Sequence, residues 1–342
     1  MKRLFKNCLV IILASIFVQA SAQDDKKIDK LNKLDKLDKA DTKEKKRFEF
    51  YRERSISKSY PATGNALSID NRFGEVKITT WDKNEIKIDI HIDASSTDKE
   101  MADKTFEGID VKDVQNAKEI KFETIIKSQE IHCKNCSNSM NIDYDIHMPN
   151  NNRLNIDNSF GAINMQDYAG PLNIKSSYGS FIAGTLAHPE KIVVEFGKTN
   201  LDEINNTDLT FRYSSINIKS LSGSNKMKMD FCGYSRIGLD NDLTSLTVNE
   251  TYSTLHLMPA SNLSASYDIN TSYGSLTDKS NADIKRVDTP ERYGPDLNHH
   301  YQGKAGNGNG KIEIKSSFGS ILIGGTEADL NNTNKNKNKR VI

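Results

Sequence analysis

Between residues 150 and 325 the chain repeats one short pattern. It reads Leu, any residue, Ile, any residue, Asn or Ser, any residue, Phe or Tyr, Gly or Ser, with an apolar residue three places after the aromatic. One copy holds Leu154, Ile156, Asn158, Phe160, Gly161 and Ile163, and the next holds Leu172, Ile174, Ser176, Tyr178, Gly179 and Phe181. Later copies carry Phe196 with Gly197, Tyr213 with Ser214, Tyr252 with Ser253, Tyr273 with Gly274, and Phe318 with Gly319. The segment around Phe73 and Gly74 fits as well. With Tyr234 as the aromatic of the one remaining copy, the aromatics from 160 to 273 step by 18, 18, 17, 21, 18 and 21 residues. A short and nearly constant period marks stacked supersecondary units.

The pattern can be read as chemistry. Leu, Ile, the small polar residue and the aromatic share one parity, so on an unbroken strand all four face the same side. The next apolar residue comes three places on, so the parity flips at the Gly or Ser, which is expected to bend the chain. Each repeat then becomes two short strands meeting at a corner, and neither strand can bury its face alone. A parallel β-solenoid of about eight coils solves this, with like residues stacked at roughly 4.8 Å. A meander of hairpins would need reversing turns such as Asn-Gly at fixed places, which the corners do not supply consistently. The expected fold is therefore all-β: a solenoid of 18–21-residue repeats, preceded by a β-rich segment with one short helix. In the copy around Met227 and Met229 there is one residue too many before Tyr234, which predicts a bulge that leaves Cys232 near the core.

The flanks set the address. Lys2, Arg3 and Lys6 precede an apolar run from Cys8 to Val18, and Ala20, Ser21 and Ala22 form a small-residue cleavage site. This reads as a secretory signal over residues 1–22, cleaved near Ala22, with no later stretch apolar enough to span a bilayer. The protein is then expected to be secreted or periplasmic, with no transmembrane segment in the mature chain. Residues 23–47 place Leu or Ile at every third position among Asp and Lys, a period that drifts around a helix, and read as a charged spacer. Residues 48–150 form the β-rich segment, where Ser95, Ser96 or Thr97 is expected to cap a helix running to about Phe106. Residues 151–325 hold the repeats, with a polar insertion at 277–311. Residues 326–342 read as a disordered tail.

Without the leader, 44 basic residues face 46 acidic ones, a net charge of −2, which excludes the dominant basic footprint of a nucleic-acid binder. Asn makes up about a tenth of the chain, in keeping with many polar turns. Cys133 and Cys136 are candidates for a local disulfide in a loop; a redox motif would need a helix start beside them, and a zinc site with His132 lacks a fourth ligand. A β-helix glycosidase or lyase would need clustered carboxylates. Asp230, Asp240, Asp242 and Glu250 are isolated in sequence and read as a solvated face. No catalytic, cofactor or metal residue is assigned, and the protein is expected not to be an enzyme.

The run from Asn71 through Phe73, Gly74 and Trp81 to Asp82, the Met148-Pro149 step, and the tandem Ser-Phe/Tyr-Gly units resemble the bacterial "putative adhesin" family, whose domain has no known function. The resemblance covers residues 55–325. It implies an extracytoplasmic β-solenoid that binds or scaffolds at the cell envelope, its polar sides meeting an envelope protein or a surface glycan. It also implies an alternative, an accessory sensor linked to an anti-sigma factor in an envelope-stress pathway. A carbohydrate-active β-helix is the third reading.

Overall fold

The computed structural model describes residues 48–127, 135–290, 295–326 and 328–329. The leader, the charged spacer, Cys133 and most of the tail lie outside them.

The N-terminal part runs β1 (Phe50–Pro61), β2 (Ala66–Arg72), β3 (Val76–Thr80), β4 (Glu85–Ser96), α1 (Lys99–Gly108), β5 (Ile109–Gln115), β6 (Glu119–Ile126) and β7 (Asn138–Met148). The repeats continue as β8 (Leu154–Ser159), β9 (Ile163–Met165), β10 (Tyr168–Ser177), β11 (Ser180–Glu195), β12 (Lys198–Asn205), β13 (Asp208–Arg212) and β14 (Ser215–Asp230). They go on through β15 (Tyr234–Thr251), β16 (Thr254–Pro259), β17 (Ala265–Ser272) and β18 (Ser275–Lys279). The last strands are β19 (Lys285–Arg286), β20 (Asn298–Ala305), β21 (Gly310–Ser317) and β22 (Ser320–Gly324). Among the described residues the architecture is all-β with one short helix.

Two parallel ladders carry the molecule. The strands before each ring pair in the order β6, β2, β8, β10, β11, β13, β14, β15, β21, β17. The strands after each ring pair in the order β7, β3, β9, β11, β12, β14, β15, β16, β22, β18. β11, β14 and β15 are long enough to run from the second ladder into the first. As a result β11, β12, β14 and β13 pair in a closed circuit of four strands, and eighteen strands lie outside it. The inward residues of both ladders, such as Leu154, Ile156, Ile163, Leu201 and Ile218, form one continuous buried core.

Both ends are laced out of sequence. β2 and β3 sit between the later pair β6 and β7 and the pair β8 and β9. At the other end β21 and β22 sit between β15/β16 and β17/β18, although they come last in the chain. Antiparallel strands close the edges: β4 and β1 extend from β7, β5 lies on β6, and β20 and β19 extend from β17. The 277–311 insertion is therefore not simply a polar loop, because it supplies β19 and β20. Helix α1 is capped by Asp98, whose carboxylate accepts from the Met101 amide at 2.8 Å. Ser96, two residues before the cap, instead accepts from the Asp98 amide.

Candidate binding surface

The repeat aromatics do not face the core. Phe73, Phe160, Tyr178, Phe196, Tyr213, Phe231, Tyr252, Tyr273 and Phe318 all have φ between 50° and 62°, in the left-handed region. One left-handed residue turns the chain at each corner, so the ring leaves the parity of the strand before it and points outward. The expectation that aromatic, Leu and Ile share a face fails for this reason. All but Phe73 are exposed, from 46% at Phe196 to 55% at Tyr273.

The rings stack into one column. In space the order is Phe73, Phe160, Tyr178, Phe196, Tyr213, Phe231, Tyr252, Phe318, Tyr273, with centroids 4.7–5.1 Å apart and planes within 15° of parallel. A bulky left-handed residue costs about 1–2 kcal/mol. Each ring contact returns about 0.5–1.5 kcal/mol beyond burial, and an interior ring has two. Each contact is shared by two rings, so nine rings hold eight contacts, and the stack offsets part of the backbone strain rather than all of it.

Tyr234 does not belong to the column. Phe231 takes that place, stacked between Tyr213 and Tyr252 at 5.0 and 5.1 Å. Tyr234 opens β15, and its hydroxyl meets His256 Nδ1 at 2.9 Å. The extra residue therefore follows the ring rather than preceding it: Ile216, three residues after Tyr213, pairs with Ser235, four after Phe231. Cys232 stands where other repeats have Gly or Ser, buried and free as expected, with its amide donating to Ser253 Oγ at 3.1 Å.

The residue after each ring is small because the neighbouring backbone crosses there. A Cβ on Gly161 would lie 1.8 Å from the Gly74 carbonyl oxygen, and one on Gly179 would lie 1.9 Å from that of Gly161. Gly197 is as tight, whereas Gly274 has more room and Gly319 abuts the Glu250 carboxylate. The requirement at Gly161 and Gly179 is close approach; the positive φ belongs to the ring before them. Two residues before the ring the column is polar at the N-terminal end. Asn71 Nδ2 donates to Asn158 Oδ1 and Asn158 Nδ2 to the Gly74 carbonyl, and the column turns apolar at Val194, Phe211 and Met229.

Chemically the column is a rail. Ring faces cover one another, so solvent meets ring edges. From Phe160 onward Phe and Tyr alternate in space, and steps of 4.7 and 4.8 Å put Tyr178 and Tyr213 about 9.5 Å apart. Phe160, Tyr178, Phe196 and Tyr213 border a shallow groove of about 530 Å³ with Ser180 and Lys198 on its floor.

The four acids read as a solvated face are scattered. Asp230 pairs with Arg212 and Lys228, and Asp240 accepts from Ser220 Oγ at 3.2 Å. Asp240 and Asp242 share a cleft of about 240 Å³ with Glu203, which sequence spacing alone did not bring together. Glu250 is the exception to the solvated reading, since it is 2% exposed. Asp288, Asp296 and His299 also converge, but the Arg286 guanidinium already bridges both carboxylates at 2.5–2.6 Å and holds Asp288 well below the usual carboxylate range. Cys136 is disulfide-bonded. No helix among the described residues is long and apolar enough to cross a membrane.

No family model matches the sequence, and no curated protein matches it. Solved structures do. A "putative cell adhesion protein" from Clostridium sporogenes is 14% identical, with 80% of this chain and 99% of that one covered and a TM-score of 0.25. A "putative adhesin" from Bacteroides fragilis is 10% identical over 79% and 97%, with a TM-score of 0.35. A "putative lipid binding protein" from Parabacteroides distasonis is 12% identical over 80% and 97%, with a TM-score of 0.26. Two of the three are described as adhesion proteins.

Proposed function

We propose that the chain is a non-catalytic, adhesin-like binding protein of the bacterial envelope that acts outside the cytoplasm. In this reading its two ladders wind as a parallel β-solenoid of about eight coils and present the ring rail to a surface glycan. One observation carries the reading: an uninterrupted column of nine stacked rings at a regular spacing, eight of them exposed. A repeating site favours a repeating ligand, because each further contact along one polymer is intramolecular. Ring edges and phenol hydroxyls, flanked by Ser180, Ser215 and Thr254, offer apolar contact with hydrogen bonding, and the charges beside them, Glu195, Lys198, Arg212 and Asp230, are mixed in sign, with Arg212 already paired to both acids. That combination suits a neutral sugar chain better than a phosphate polymer.

The test is co-sedimentation of the mature protein with cellulose, chitin and peptidoglycan. The comparison is a variant carrying Tyr178→Asn, Tyr213→Asn and Tyr252→Asn, since Asn tolerates the left-handed backbone. The expected result is retention of the wild type on at least one polymer and at least a tenfold loss in a variant with unchanged far-ultraviolet circular dichroism. Equal retention of both proteins, or retention of neither, contradicts the proposal.

A further inference from the structure

Glu250 sits where a carboxylate is hardest to keep charged. It occupies the inward column of β15, between Met229 of β14 and Ser316 of β21. Its Oε1 takes the Ser316 hydroxyl, its Oε2 takes the Ser253 amide at 3.2 Å, and Gly319 leaves room for the carboxyl head. It takes part in no ion pair among those of the described residues. The charged residues on the adjoining strands, Lys228 and Asp230 on β14 and Lys315 on β21, fall at the alternate, outward positions. Cys232, one repeat away, faces Ser253 and is itself held neutral by burial. His256 on β16 is occupied by the Tyr234 hydroxyl and the Gly324 carbonyl.

The position matters because β21 and β22 are the pair inserted out of sequence. Glu250 and Ser316 form a buried side-chain hydrogen bond across the β15–β21 ladder, one of the four ladders that hold that pair. We propose that Glu250 is a proton-dependent latch: neutral, it holds the β21/β22 pair in its slot, and ionised, it loosens the seam between β15 and β21. The Ser316 hydroxyl suits both states, because it can accept from the protonated acid or donate to the carboxylate. Burial outweighs the two donors and pushes the Glu250 carboxyl up to about 7. An open seam returns it to water and to the ordinary range. The open state is therefore favoured as pH rises from that range to about 7, by up to roughly tenfold per pH unit, and no further above it.

The experiment is amide hydrogen exchange of residues 310–324 from pH 5 to 8.5, corrected for intrinsic rates, on the full chain and on Glu250→Gln. The expected result is an opening equilibrium that rises at least tenfold for the wild type and stays flat for the variant. Parallel profiles for the two proteins overturn the proposal. A carbon-13 titration of the Glu250 carboxyl in the wild type is the second readout, independent of whether the variant folds. A midpoint in the ordinary glutamate range overturns the proposal as well.

Discussion

At the residue scale, each corner depends on two side chains with different tasks. The aromatic carries the left-handed φ, and the next residue leaves room for the neighbouring backbone. This division predicts an unusual ordering at Tyr213, which has a ring on either side. Tyr213→Ala removes both ring contacts and keeps the strain, whereas Tyr213→Gly removes the contacts and the strain together. The glycine variant should be the more stable of the two by roughly 1 kcal/mol in chemical denaturation, a reversal of the usual Gly–Ala order in strands. The sequence carried the period but not this division. Parity counting treats every residue as extended, and a single positive φ breaks the count without leaving a composition signal. For the same reason the sequence pattern points to Tyr234 where the structure has Phe231. Cys232 occupies a slot that elsewhere holds Gly or Ser, so the Gly233-Tyr234 pair one step later looked like the corner.

At the element scale, the strands and their spacing were readable, because each carries the alternation of a half-buried strand. Their order at the two ends was not. The inward faces of β17 and β21 follow one pattern, with Ile269 level with Ile314 and Thr271 level with Ser316, so the local sequence does not say which of the two lies beside β15. In the observed order Glu250 lies opposite Ser316. The hairpin of β19 and β20 lengthens the connection from β18 to β21 and covers the free edge of β17. Its residues are polar on both faces, so the alternation that marks the other strands is missing from its sequence. An interior repeat contributes two interfaces to a stack and a terminal one contributes a single interface. Removal of residues 310–342 should therefore lower the thermal midpoint by roughly 10 °C or more, given the few degrees that each kcal/mol is worth in a chain of this size. An unchanged midpoint in calorimetry would contradict the placement of the pair between β15/β16 and β17/β18.

At the scale of the whole molecule, the two ladders, the out-of-sequence ends and the ring column describe one object. The rail runs unbroken only if Phe318 stands between Tyr252 and Tyr273, as the ring distances of 4.7 and 4.8 Å place it. The Phe–Tyr alternation exists only in that order, since along the sequence Tyr252 is followed by Tyr273. A ligand that follows the rail would meet phenol hydroxyls at every second step over most of its length. The binding proposal depends on this continuity, as does the role given to Glu250 beneath the same repeats.

The most direct measurement is therefore disulfide trapping in a Cys232→Ser background. Cα atoms on adjacent strands lie about 5 Å apart, within disulfide reach, and those two strands apart lie roughly 10 Å away, beyond it. Tyr252→Cys with Phe318→Cys should oxidise to an intramolecular bond, read by mass spectrometry. Tyr252→Cys with Tyr273→Cys should remain reduced. A bond between 252 and 273, with none between 252 and 318, would contradict the order of the stack and the unbroken rail that follows from it.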